Sequence, residues 1–259
     1  TGFVESLSAV DERLIELAGP KAAALRLSEA NAHIEAITQD AETGIFYYDE
    51  KTTPEKFTGL AARYNSLTGW FGSSQVVDGG GSGSDNTSIH IVTWGEGQTV
   101  LLHPANTKAG IQRMDMGRQR ILDSDNNPFY VQEELFRLHL GLAVIDPRYN
   151  VRIANIDISD VRAGNVDLYG LMRTAYYRLQ SVRATASMKD PNAARSGRTV
   201  IYMNRDIAEA LDGLATNAGA NDSFVRLRPM EIEGKEVQSY RGMPIRITDA
   251  LLNTETAVS

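Results

Sequence analysis

The run FYVQEELFRLHLGLAVI, Phe129 to Ile145, alternates apolar and polar residues over an unusually long span. Phe136, Leu138, Leu140, Leu142 and Val144 fall on one side and Arg137, His139 and Gly141 on the other, the spacing of a β-strand with one covered face. Strands in globular domains average about five to six residues, so this one is expected to be roughly twice as long. Pro147 ends the run, and YNVRIANIDI from Tyr149 starts another strand. Two long strands whose charged face carries Glu133, Glu134, Arg137, Arg148 and Arg152 describe an extended ribbon with one face available to a partner. For any single charge a solvated outer face is the plainer reading.

Upstream, Asp11 to Ala41 is rich in alanine, leucine and glutamate, and Leu27, Ala30, Ile34, Ile37 and Ala41 are spaced as one apolar helical stripe. Gly19-Pro20 predicts a short helix, a break, and a long helix starting near Pro20, whose fixed φ suits a first turn. Gly44 is expected to close it. The residues ahead of this helix begin inside an apolar and polar alternation, which suggests that something precedes Thr1. Between the long helix and the ribbon, GIFYYDEKTTPEKFTGLAARYNSL reads as an irregular excursion with Phe46, Tyr47, Tyr48, Phe57 and Tyr64 as aromatic anchors.

The segment VVDGGGSGSDNTSIHIVTWGEG, Val76 to Gly97, poses a choice between a phosphate cradle and a structural loop. No lysine follows the glycines, and strand-like sequence rather than a helix comes next, so both nucleotide-binding motifs fail on context. The expectation is a flexible loop entering a hairpin of Ser88–Trp94 with Gln98–His103. After Asp160 the pattern changes. VDLYGLMRTAYYRLQSV reads as a helix, GRTVIYMN as a strand, RDIAEALDGLATNAG as a glycine-capped helix, and VQSYRGMPIRITDAL as β-structure turning at Arg241–Pro244. This is a compact α/β unit.

The 259 residues carry a net charge of −7, which argues against a nucleic-acid-binding face, although Arg113, Arg118 and Arg120 cluster. Without cysteine, disulfides, thiolate metal sites and cysteine nucleophiles are excluded. The four histidines, His33, His90, His103 and His139, are scattered and lack metal-ligand spacing. No segment approaches the roughly 18 apolar residues of a membrane span and no leader opens the sequence, so a soluble intracellular protein is expected. DSDNNP from Asp123 reads as a β-turn rather than a calcium loop. His33 with Glu35 carries little catalytic weight on an alanine-rich helix, and no residue constellation stands out as an active site.

The phrases FTGLAARYNSL (Phe57–Leu67), GGGSGSDNTSI (Gly79–Ile89), VRIANIDIS (Val151–Ser159) and YRGMPIRITDALLNTE (Tyr240–Glu255), in this order, resemble the major capsid proteins of tailed double-stranded-DNA bacteriophages, of the Hong Kong ninety-seven fold type. The resemblance implies an α+β tailed-phage capsid fold: a long spine helix at Pro20–Ala41, a peripheral domain of long β-strands and an α/β axial domain. The expected segments are residues 1–66 for spine helix and connecting loops, 67–158 for the β-rich peripheral domain with its glycine loop, and 159–259 for the axial domain. Family members carry an N-terminal arm and an extended two-stranded loop before the spine helix, and neither is expected within the residues ahead of Pro20. A mobile glycine loop would let one sequence occupy several shell environments.

The implied function is a structural, non-enzymatic subunit of an icosahedral capsid, without cofactor or metal. Its implied partners are other copies in hexamers and pentamers, with scaffold, portal and decoration proteins, and it encloses DNA without sequence-specific binding or membrane contact. It would reside in the virion after assembly in the host bacterial cytoplasm. Candidate interface residues are Glu133, Arg137, Arg148, Arg152, Arg113, Arg118 and Arg120. The alternatives are a β-rich hydrolase acting on carbohydrate, with Trp70 and Trp94 as stacking platforms beside two close carboxylates, and a nanocompartment shell protein of the same fold.

Overall fold

The structure, a computed structural model, describes residues 1–69, 71–180, 197–216, 227–232 and 234–259. In chain order its first elements are β1 (Gly2–Asp11), α1 (Glu12–Ala18), α2 (Ala22–Tyr47), α3 (Leu60–Arg63), β2 (Val76–Asp78), β3 (Asn86–Trp94), β4 (Thr99–Leu102), β5 (Ile111–Leu122) and β6 (Pro128–Val144). There follow β7 (Val151–Asp157), α4 (Ile158–Arg162), α5 (Leu168–Arg178), β8 (Arg198–Met203), α6 (Arg205–Thr216), β9 (Arg228–Ile232), β10 (Lys235–Tyr240) and β11 (Met243–Ile247). Two compact units result, residues 1–59 with 101–142 and residues 60–100 with 143–259. Each unit is built from separated stretches of chain, so these units cut across the contiguous segments 1–66, 67–158 and 159–259.

In the first unit the long alternating run is the 17-residue strand β6. Its neighbours are β1, in antiparallel register from Gly2↔Leu140 to Asp11↔Val131, and β5. The expected pairing of this run with the strand after Tyr149 does not form, because β7 lies in the second unit. The helix breaks at Gly19, where φ is +49°, and α2 then runs for 26 residues. Ala30 and Ile37 bury against Phe136 of β6, while Leu27, expected on this stripe, is exposed. Gly44 does not stop the helix. A Cβ there would lie 2.5 Å from the Tyr48 ring, so glycine at this position lets that ring fold back over the helix end.

The second unit centres on a mixed sheet hydrogen-bonded in the order β2-β7-β3-β8-β11-β10-β9. Along β3, Ile89 and Ile91 join Val151 and Ile153 of β7, Leu168 and Met172 of α5 and Ile207 of α6 in one core. The intervening Ser88 and His90 are equally buried on the other face. A strand covered on both sides reads as a continuous buried run, and both edges of β3 are taken, antiparallel, by β7 and β8. The expected hairpin therefore reduces to one bridge, Trp94↔Thr99. The helix, strand, helix and hairpin expected after Asp160 are present as α5, β8, α6 and β10–β11. Arg241 and Gly242 both adopt positive φ in the two-residue turn. The glycine cap expected after α6 lies outside the described residues.

The glycine segment is tied down rather than free. Gly79 N–H donates to the Ala154 carbonyl at 2.8 Å and Gly81 N–H to the Asn155 carbonyl at 2.8 Å. A Cβ on Gly79 would sit 2.5 Å from the Asn155 oxygen. Close backbone approach to β7 explains this glycine.

Candidate subunit interface

Period-two geometry gives the β1–β6–β5 sheet two unlike faces. Toward α2 point Val4, Phe136, Leu138 and Ile111, together with Glu134, only 3% exposed. Arg113 donates to Glu134 through Nε and Nη2, both at 2.8 Å, and Arg26 of α2 completes the cluster while also reaching Asp115 at 3.0 Å. The bonds from Arg113 and the charge of Arg26 hold the Glu134 carboxyl below the usual carboxylate range. His33 of α2 meets Ser6 Oγ at 2.6 Å and stacks on Phe136, a satisfied position joining helix to sheet.

The opposite face is open. Its cross-strand rows are Phe3–His139, Glu5–Arg137–Gln112 and Leu7–Leu135–Met114, in which Phe3, Leu7 and Met114 are about half exposed. Arg137 pairs with Glu5 in the middle of these apolar residues, and Glu133 lies one row beyond, opposite Ala9. Leu14, Leu17 and Leu27 form further exposed apolar surface on α1 and the start of α2.

A bulge at Asp115–Gly117 shifts the register of β5 by one residue, with Gly117 at φ +71°. Before it Arg113 opposes Phe136; after it Arg118 opposes Gln132 and Arg120 opposes Tyr130. The shift keeps all three arginines on the α2-facing side, although their sequence spacing would split them. Arg118 binds Glu12 at 2.8 Å and lies over the Tyr130 ring at 4.1 Å.

A model of the family described as major capsid protein GP7 matches residues 1–259. The chain belongs to the GP7 major capsid protein family. It is also similar to a chain in the near-atomic-resolution cryo-EM structure of bacteriophage Epsilon15, with 33% sequence identity and a TM-score of 0.67 over 100% of this chain and 74% of that one. No curated protein matches significantly. The chain is thus a structural capsid subunit of the virion, with the mixed helix and sheet fold of that class. Among the described residues, no helix is long and apolar enough to cross a membrane.

Seen on this capsid subunit, the candidate residues separate. Glu133 and Arg137 share the open sheet face, and Arg113, Arg118 and Arg120 share the other. Arg148 and Arg152 belong to the second unit. Arg148 sits in a short 3-10 turn, bonded to Asp146 at 2.7 Å. Arg152 is 4% exposed and bonds Glu255 at 2.9 Å, so its side chain is spent inside the subunit. His90, itself fully buried, is pushed well below its ordinary value first by that desolvation and second by the nearby charge of Arg152. Glu134, expected beside Glu133 on the charged face, points to α2, because neighbouring residues of a strand face opposite ways. The sequence does not single out the apolar members Phe3, Leu7 and Met114; the alternation in GFVESLSAVD carries Phe3 and Leu7, Met114 belongs to β5, and only strand pairing joins all three to the β6 face.

The carbohydrate-hydrolase reading places weight on Trp94 and paired carboxylates; Trp70 lies outside the described residues. Trp94 Nε1 donates to Tyr202 Oη at 2.9 Å. A cleft of about 370 Å³ gathers Asp157, Asp160 and Asp167 beside Gly79–Gly81. Asp157 and Asp167 there cap α4 and α5, accepting from Asp160 N–H at 3.1 Å and Gly170 N–H at 2.8 Å. Those carboxylates serve the fold.

Proposed function

We propose that the chain assembles into hexamers and pentamers of an icosahedral shell enclosing double-stranded DNA, in the host bacterial cytoplasm, and that the open face of the β1–β6–β5 sheet is a principal contact between copies. The observation carrying this reading is the exposure of Phe3 at 56%, Leu7 at 50% and Met114 at 47% on one sheet face. Clustered apolar exposure of this kind marks interaction surfaces. The Glu5–Arg137 pair among these residues supplies both charges that a second copy could match, which favours a second copy as the occupant. Glu133 lies at the rim of this face, Arg113, Arg118 and Arg120 carry charge on the opposite, α2-facing side of the ribbon, and Arg148 adds a charge on the second unit. On this reading the first unit takes the peripheral role and the second the axial one, with scaffold, portal and decoration proteins as further partners.

The test is Leu7→Asp, with Met114→Glu as a second variant, followed by light scattering coupled to size exclusion and negative-stain imaging. Substitutions at exposed positions leave subunit stability within about 0.5 kcal/mol, so the expected outcome is folded subunits that no longer form shells. Normal shells from both variants would remove this face from the contacts.

A further inference from the structure

Residues beyond β11 form no regular element, yet three separate groups of the second unit grip them. Glu255 N–H donates to the Asn86 carbonyl at 2.9 Å, forming an isolated antiparallel bridge at the β3 end. Its carboxylate receives Arg152 Nη2 at 2.9 Å and the Ser88 hydroxyl. Arg152 in turn donates Nε to Ser88 Oγ at 2.9 Å and Nη1 to the carbonyls of Ala61 and Tyr64 at 3.1 and 2.8 Å. One guanidinium thus joins the tail, β3 and the end of α3.

Three residues on, Asn155 holds the tail backbone from both sides: its Oδ1 accepts Val258 N–H at 2.7 Å and its Nδ2 donates to the Val258 carbonyl at 2.9 Å. Asn155 can do this because β7 is irregular there. Thr87 opposes Ile156 and Ile89 opposes Ile153, so Ser88 faces two residues, and Asn155 takes φ of +56°. A bulge of this kind re-aims a side chain out of the ladder, and a non-glycine residue at positive φ is uncommon. A backbone requirement alone would favour glycine; the two bonds to Val258, with a further one from Nδ2 to Asp78 Oδ1 at 2.9 Å, explain asparagine.

We infer that this groove is a binding site for an extended peptide bearing one carboxylate, and that its ligand is the chain's own residues 249–259, which latch the second unit closed. Arg152 with Ser88 reads the carboxylate, and Asn155 reads the backbone three residues later.

Residue-resolved hydrogen exchange on the full-length, unassembled subunit tests it, independently of whether shells form. In the unaltered chain the Glu255 and Val258 amides are expected to be protected although they lie outside any regular strand. Asn155→Gly removes the clamp while giving the backbone a residue at ease with positive φ, so the variant folds. Losing two hydrogen bonds at about 0.5–1.5 kcal/mol each corresponds to exchange at Val258 roughly ten- to hundredfold faster, with α2 amides unchanged. Glu255→Gln is expected to speed exchange at residue 255 similarly. Tail amides exchanging at unstructured-chain rates in the unaltered protein, or unchanged Val258 protection in Asn155→Gly, would overturn the inference.

Discussion

Neutralising Glu134 by Glu134→Gln isolates the charge cluster that fastens α2 to its sheet. The carboxylate is only 4% exposed, Arg26 is 26% exposed and Arg113 is 51% exposed. The half-exposed Arg113 contributes in the surface range, below about 1 kcal/mol. Arg26 meets a desolvated carboxylate, and a charge-assisted bond there is worth roughly 1.5–3 kcal/mol. Desolvation recovered on neutralisation offsets part of this, and Arg26 keeps Asp115, leaving an expected loss of about 2 kcal/mol. The assay is urea unfolding of the unassembled subunit followed by circular dichroism at a helix wavelength, since α2 supplies 26 helical residues.

The pH dependence carries a sign. Glu134's folded-state pKa lies below its unfolded value, so its stabilisation is complete above the unfolded value of about 4.3 and is lost as pH falls through the lower folded value. The gap between unaltered and Glu134→Gln proteins should therefore be full at neutral pH and shrink below about pH 4.3. A gap under about 0.5 kcal/mol at neutral pH, or one unchanged in acid, would refute the assignment of Glu134 as the ionised centre of the cluster.

Arg152→Met is expected to cost about 3–5 kcal/mol by stranding the Glu255 carboxylate, whereas Arg152→Met with Glu255→Met should cost clearly less than the sum of the two single changes. Chemical unfolding of all four proteins measures that coupling. Gly79→Ala is expected to lower the thermal midpoint, at a cost of about 1–3 kcal/mol, because its Cβ would press on the Asn155 carbonyl. Gly97→Ala, a comparison at φ +81° with no atom within 4 Å of the added Cβ, would incur backbone strain only.

What the sequence determined by itself is local. The break at Gly19-Pro20, the long helix, the strand character of Phe129–Val144, the helices from Leu168 and Arg205 and the turn at Arg241–Gly242 follow from periodicity and from residues with restricted or permissive backbones. The four family phrases carried the capsid resemblance, which the full-length family match supports. Tertiary structure decided what each strand pairs with and what covers each face. Alternation states that Phe136 and Arg137 point opposite ways, but not that α2 covers one side, nor that β1 and β5 rather than β7 flank it. The arginines show the same limit. Arg137 and Arg152 occupy similar alternating sequence, yet one lies on an open face and the other is buried against a glutamate 103 residues away. The glycines of Gly79–Gly81 look like a flexible spacer until β7 runs alongside them. Partners far apart in the chain leave no periodic trace in either segment, so their meeting is fixed only when the whole sheet closes.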